Sequence, residues 1–232
     1  MPNLSSLTPA ESRRIKEFLA ALRHPCKTRV AEGSSLVGPK FEEEFRSKLL
    51  AQHVFMGSPL FQEAFDAAFF SACRVAGYTV TPAPDGHRFW DVEVNGKKLS
   101  LKSSKAKNLS QTTLHISKLC EAAWIQDCRT ARKRHDLTHE LFEEYCACVH
   151  SIFMLRYFAA EARYELVEIP VSLFSQVLEV SPDHFAADGP TINIPIGKEP
   201  PDFTLKLDRS DAKITIANIQ KGLCTLHAEW VL

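Results

Sequence analysis

Asn95-Gly96 divides a stretch of alternating residues, Arg88-Phe-Trp-Asp-Val-Glu-Val-Asn-Gly-Lys-Lys-Leu-Ser-Leu-Lys102, into two short arms. The dipeptide suits a two-residue type I′ turn, whose central positions both need φ > 0, a conformation that Asn and Gly tolerate cheaply. A turn this tight fixes the register of the arms. Counting outward, Val94 faces Lys97, Glu93 faces Lys98, Val92 faces Leu99 and Asp91 faces Ser100. Lys102 then lies diagonally across from Asp91 at about 7–8 Å. Side chains alternate between the faces of a strand, so Trp90, Val92, Val94, Leu99 and Leu101 form an apolar face. The opposite face carries Asp91, Ser100 and Lys102, a spacing suited to a carboxylate-bound metal ion, a water and an ammonium acting on one phosphate.

The flanking sequence frames this hairpin. Upstream, Ser58 to Gly77 predicts a helix with Ser58 as N-cap, Pro59 in the first turn and Gly77 at the end. Leu60, Phe61, Ala64, Phe65, Ala68, Phe69, Ala72, Cys73 and Ala76 give it a broad apolar stripe. Tyr78 to Pro82 predicts a strand. A polar, basic connection runs from Ser103 to Thr113, and a helix is expected over about Ile116 to Arg134, ending in Arg129-Thr-Ala-Arg-Lys-Arg134. Leu137 to Val149 reads as a further helix, and Ser151 to Phe158 as a buried strand.

An acid near the end of one strand, followed about ten residues later by acid-x-Lys on the next, resembles the signature of the PD-(D/E)xK nuclease superfamily. Here it reads as Asp91 and then Ser100-x-Lys102, with Trp90 in place of the usual Pro and Ser100 in place of the usual acid. Some type II restriction endonucleases are similar in having Ser in that slot and a displaced Glu elsewhere. The resemblance covers about residues 57 to 160. It implies an α/β fold: a restriction-endonuclease-like αβββαβ core with a mixed central sheet flanked by helices, plus N-terminal helices and C-terminal β-hairpins. It also implies Mg²⁺ as cofactor, Asp91 as central ligand, a backbone carbonyl from Leu101, and Lys102 positioning or deprotonating the water. Since Ser100 brings no charge, a second carboxylate must come from elsewhere. Glu63 on the preceding helix is the first choice and Asp66 the second, with Glu93 on the hairpin and Glu121 on the following helix as further candidates; a cross-strand ion pair with Lys98 is the alternative for Glu93, and a solvated position for Glu121.

At 232 residues the chain needs only one domain, divided into an N-terminal helical extension (1–56), a catalytic core (57–160) and a C-terminal α+β part (161–232). In the extension, Thr8-Pro-Ala-Glu11 starts a helix and Phe41 to Leu50 is amphipathic. In the last part, Val171 to Val180 suggests a short helix, Asp202 to Leu207 and Lys213 to Ile219 a hairpin, and Cys224 to Leu232 a strand.

Formal net charge is zero, so any cationic surface must be local. Lys97, Lys98, Lys102, Lys105 and Lys107 form one cluster, and Arg129, Arg132, Lys133 and Arg134 another, which is expected to contact DNA. Residues positioned to read DNA are Lys105, Lys107, Asn108, Gln111, Thr112 and His115 after the catalytic strand, with Arg209 at the tip of the C-terminal hairpin. The seven cysteines have no regular spacing and read as reduced thiols. No apolar run approaches the length of a membrane span, and the N-terminus lacks a signal-peptide pattern, so the expected location is the cytoplasm.

Other chemistries find less support. His135, His139, Cys146, Cys148 and His150 are soft ligands that might suit zinc, but there is no Cys-x₂-Cys pair and the segment reads as helical. Asp202 and Lys206 imitate the nuclease spacing without a preceding framework. Neither a Gly-x-Ser-x-Gly elbow nor a Walker-type loop is present. The sequence therefore predicts a type II restriction endonuclease acting on double-stranded DNA, expected as a homodimer because two-fold proteins match two-fold sites. The alternatives are a DNA-repair or mismatch-nicking nuclease of the same superfamily, and a non-catalytic nucleic-acid-binding protein that retains the fold.

Overall fold

The computed structural model describes residues 7–232, so most of the N-terminal stretch read as lacking a signal pattern lies outside the described residues. Three consecutive strands, β2 (Val80–Pro82), β3 (Val92–Val94) and β4 (Lys97–Ser104), form an antiparallel meander between the helices α3 (Glu63–Val75) and α4 (Ala131–Cys148). The chain returns through α4 into β6 (Ser151–Phe158), which lies parallel to β4. This is the expected αβββαβ core with its mixed sheet.

The sheet is extended by β7 (Arg163–Pro170), β11 (Thr225–Val231) and β1 (Lys27–Val30), giving seven strands in the order β1-β11-β7-β6-β4-β3-β2. A second, four-stranded sheet contains β5 (Thr113–Glu121), β8 (Thr191–Ile196), β9 (Phe203–Asp208) and β10 (Lys213–Gln220), in the order β5-β10-β9-β8. The N-terminal segment contributes α1 (Pro9–Leu22) and α2 (Pro39–Leu50) as well as the edge strand β1, so the first and last parts of the chain meet in the main sheet.

Both faces of the main sheet are covered, as expected for a sheet with a parallel crossover. On one face Phe41, Phe45, Phe65 and Phe69 of α2 and α3 pack against Val92, Leu99, Leu101, Phe153 and Leu155. On the other, Leu141, Phe142 and Tyr145 of α4 pack between Ile152 and Met154 of β6 and the apolar residues of the second sheet. Strand β4 lies inside the sheet, between β6 and β3, and so carries its Ser100–Lys102 segment between the two cores.

Several boundaries differ from the sequence reading. Helix α3 begins at Glu63 instead of Ser58 and ends as expected at Gly77, whose φ is +92°. There Tyr78 N–H donates to Cys73 O and Gly77 N–H to Arg74 O, both at 3.0 Å, which is the paired bonding of a Schellman cap. The helix expected over Ile116–Arg134 is instead strand β5, followed by a 3₁₀ turn at Ala123–Gln126 and then the start of α4. Register shifts between β5 and β10 bring Leu119 and Cys120 into the core together, so strict two-residue alternation is lost. The Arg129–Arg134 cluster consequently precedes and opens a helix instead of ending one. The short helix expected at Val171–Val180 is a 3₁₀ run, Val171–Glu179. Strands β1, β7 and β8 had not been anticipated.

Candidate active site

The hairpin closes as the Asn95-Gly96 turn dictates. Val94 pairs with Lys97, Glu93 with Lys98 and Val92 with Leu99, while φ is +49° at Asn95 and +79° at Gly96. Asp91 departs from the simple count. Its N–H donates to Leu99 O at 2.9 Å although Val92 already pairs with Leu99, so two residues of this arm oppose one of the other. That is a β-bulge, a device that re-aims a side chain. It also corrects the face of Trp90, which packs with Ile152 and Met154, whereas Val92 joins Phe153 and Leu155.

The bulge turns the Asp91 carboxylate onto the opposite strand. Asp91 Oδ2 accepts from Leu101 N at 2.6 Å and from the completely buried Ser100 hydroxyl at 3.1 Å. Asp91 Oδ1 has no hydrogen bond among the described residues. One carboxylate oxygen is therefore fixed and the other is left available. Beneath Ser100, the hydroxyl of Tyr145 on α4 is buried without a well-aligned hydrogen bond among the described residues, and burial raises its pKa well above the usual phenol value, with Ser100 opposing the shift.

Asp66, in the first turn of α3, is the carboxylate that joins this group. It is half-buried and its pKa is pushed up to about 7, first by burial and next by the negative charge of Asp91, with Lys102 opposing the shift. The helix is held near the hairpin by Gln62 N–H, which donates to Ser103 Oγ at 2.8 Å. Glu63 is exposed at the very start of α3, one turn short of Asp66's position. The structure thus brings forward the second choice of the two helix acids.

The remaining acids lie elsewhere. Glu93 sits opposite Lys98 in register, but Lys98 Nζ is over the Trp90 ring, 5.4 Å from its centroid. Glu121 lies at the exposed end of β5, where its carboxylate is held by Lys118 Nζ at 2.6 Å. Its ionised form is stabilised by that hydrogen bond.

Lys102 opens onto a groove of about 330 Å³ between β4 and β5, lined also by Phe61, Lys105, His115, Lys118 and Met154. Lys105 Nζ stands 4.6 Å from the centroid of the Phe61 ring. His115 has its pKa lowered, first by partial burial and next by Lys206 and Lys213. Lys118 belongs to this groove but was not singled out in the sequence, because a helical reading of Ile116–Arg134 hid its place on β5. Tyr145 was missed for a similar reason: an aromatic on the inner face of a helix gives no sign that its hydroxyl lies beneath Ser100.

Other residues proposed for DNA contact occupy varied settings. Lys107, Asn108 and Thr112 are exposed on the β4–β5 connection. Gln111 is tied to Arg163 and Glu161. Arg129 caps the Gln126 and Cys128 carbonyls, Arg132 pairs with Asp136, and Lys133 is exposed. Arg209 is ion-paired with Asp188 at 2.7 Å. Arg134 is a correction: it is completely buried and donates to Ala186 O and Cys128 O, so its guanidinium braces loops and is not offered to DNA.

Comparison with known proteins gives the family. A family model described as SmaI, a type II site-specific deoxyribonuclease, matches residues 3–232. The chain belongs to the SmaI family of type II site-specific deoxyribonucleases. It is 26% identical over 220 residues to the type II restriction enzyme SmaI of Serratia marcescens, covering 88% of this chain and 84% of that protein. No solved structure matches the chain. Membership in the SmaI family makes the chain a restriction endonuclease that hydrolyses DNA, in preference to the repair-nuclease and non-catalytic alternatives. None of the described helices is long and apolar enough to cross a membrane.

Proposed function

We propose that this SmaI-family enzyme cuts double-stranded DNA at the Asp91–Lys102 hairpin, using Mg²⁺ held by Asp91 and Asp66. The observation that carries the reading is the bulged Asp91, which has one oxygen fixed by Ser100 and Leu101 N and the other left free beside a second, hydrogen-bond-poor carboxylate. Asp91 raises the proton affinity of Asp66, and a hard dication between the two carboxylates would take the place of that proton. Mg²⁺ prefers oxygen ligands and retains several waters, so two carboxylates suffice when water and phosphate oxygens complete the shell. The Leu101 carbonyl is a further proposed ligand, and Glu63, Glu93 and Glu121 are secondary to Asp66.

Bound there, the metal would neutralise charge on the phosphate and lower the pKa of a water. The protein's part is orientation. Ser100 and Leu101 N keep Asp91 from rotating, and Lys102 faces the groove where it can hold the attacking water or a phosphate oxygen. Lys105 adds positive charge along the same groove, where the DNA backbone is proposed to run, with His115 lining it as a neutral ring and Lys118 paired to Glu121. The enzyme is proposed to act as a homodimer on a two-fold site, and in the cytoplasm.

Purified protein with Mg²⁺ is expected to cut plasmid into discrete fragments. Asp91→Ala and Lys102→Ala should stop cutting while retaining DNA binding in a mobility-shift assay, and light scattering should give twice the 26.1 kDa chain mass. Smeared degradation would overturn the site-specific reading. Cleavage by either variant at the wild-type rate would overturn the site assignment.

A further inference from the structure

We propose that His135 and His139 of α4, with the carbonyl of Val180, form a binding site for a divalent transition-metal ion. The site is separate from the Asp91 hairpin and does not depend on the nuclease chemistry assigned there. The two histidines are four residues apart on one helix, the spacing at which imidazoles share a face. Their rings lie side by side with centroids 3.9 Å apart. Both Nε2 atoms converge on a single oxygen, Val180 O, at 3.1 Å from His135 and 3.2 Å from His139.

Those separations match the edges of a coordination polyhedron. Ligands at about 2.0–2.1 Å from a metal ion are about 3.0 Å apart in an octahedron and about 3.3 Å apart in a tetrahedron. An ion bonded to the carbonyl and to either nitrogen would therefore change those two separations little. The other nitrogen of His135 supplies an independent sign. Its Nδ1 is 2.7 Å from Asp136 Oδ1, and Asp136 is itself held by Arg132 at 3.0 Å. A ligating histidine commonly donates its second N–H to a carboxylate in this way, which fixes the ring and makes the free nitrogen a better donor.

The Nε2 atoms of both rings and the Val180 carbonyl face one point. A single cation replaces both Nε2 protons. Nitrogen donors select zinc, cobalt, nickel or copper over magnesium. No third His, Cys, Asp or Glu among the described residues completes the set, so water fills the remaining positions. The bond to Val180 would clamp α4, which carries Tyr145, to the end of the 3₁₀ segment Val171–Glu179.

The test uses the full chain, stripped with chelator and titrated with Co²⁺ and Zn²⁺. Expected results are one equivalent bound, visible Co²⁺ absorption without a thiolate charge-transfer band, and a melting temperature raised by a few degrees. His135→Ala and His139→Gln should each abolish binding, and Asp136→Asn should weaken it by about 10-fold. Asp91→Ala should bind as the wild type does, which separates this ion from one at the nuclease site. Melting each histidine variant without metal shows whether it is folded. Unchanged binding in a folded histidine variant, a thiolate band, or no binding by the wild type would each overturn the proposal.

Discussion

Two clusters of charge sit along the parallel pair β4–β6, and they are completed in opposite ways. At Ser104, paired with Arg156, the strands meet a closed network. Arg156 and Glu165 are each 1% exposed and bonded at 2.9 Å, and Glu165 also accepts from Lys221 at 2.9 Å and from Arg163. Arg156 further donates to the carbonyls of Ser110 and Thr113, which ties down the connection between β4 and β5. Every charge there has a partner. Around Asp91, one carboxylate oxygen and the Asp66 carboxylate have no hydrogen bond among the described residues. A closed network holds a fold, whereas an open one retains electrostatic energy that a substrate or ion can use.

The contrast is sharpest in activity. Asp91→Asn keeps an acceptor for Ser100 and Leu101 N but removes the charge. Cleavage should fall by at least about 10³-fold, on the order of 4 kcal/mol at the transition state. The melting temperature should stay within about 2 °C, since no buried group loses its partner. A large fall in melting temperature with cleavage retained would place Asp91 in the structural class.

Arg156→Ala should show the reverse. Removing one member of a buried ion pair costs about 3–5 kcal/mol, because Glu165 keeps its charge and loses a partner. For a chain of this size that lowers the melting point by roughly 10 °C. Calorimetry should record the loss, and the surviving folded enzyme should still cut at a low temperature. Loss of cutting without loss of stability would instead join Arg156 to the site through the loop it anchors.

The hairpin and core topology were legible because local rules govern them. Asn95-Gly96 sets a register, apolar stripes mark α3, and a short β-rich run marks β6. The bulge at Asp91 was not legible, since an extra residue in one arm leaves no mark in an alternating pattern. Nor was the choice of Asp66 over Glu63, which depends on where α3 begins and on the Gln62–Ser103 bond between distant segments. Strand β5 was hidden by its bulges, and Arg134 looked like a surface cation because its carbonyl partners come from loops. In each case the deciding contact joins residues remote in sequence.

Asp66 offers a smaller effect with a definite sign. Its folded pKa of about 7 lies above the ordinary aspartate value of 3.8, so the folded state binds the extra proton between those limits. Stability contributed by this site therefore falls as pH rises from about 4 to 7. Asp66→Asn should be more stable than the wild type at pH 8, by about 1–2 kcal/mol after allowance for water reaching the carboxylate, and the difference should vanish near pH 4. Denaturant melts at both pH values without divalent metal measure this directly. If a metal at the site needs the ionised carboxylate, cleavage at low Mg²⁺ should also rise through pH 7 in the wild type.

The smallest effect is expected at Tyr145. Its hydroxyl is buried beneath Ser100, whose hydroxyl is its nearest partner but makes no well-aligned hydrogen bond with it among the described residues, so the folded state bears a desolvation cost that is at most partly compensated. Tyr145→Phe removes that cost and keeps the ring packed against Phe89. Stability should be unchanged or raised by up to about 1 kcal/mol. Ser100 already donates to Asp91, so cleavage should change by less than about 5-fold, or about 1 kcal/mol. A larger loss of kcat, with the melting temperature unchanged and DNA binding intact, would show that the hydroxyl supports Ser100 during catalysis. The open cluster would then extend from the hairpin into α4.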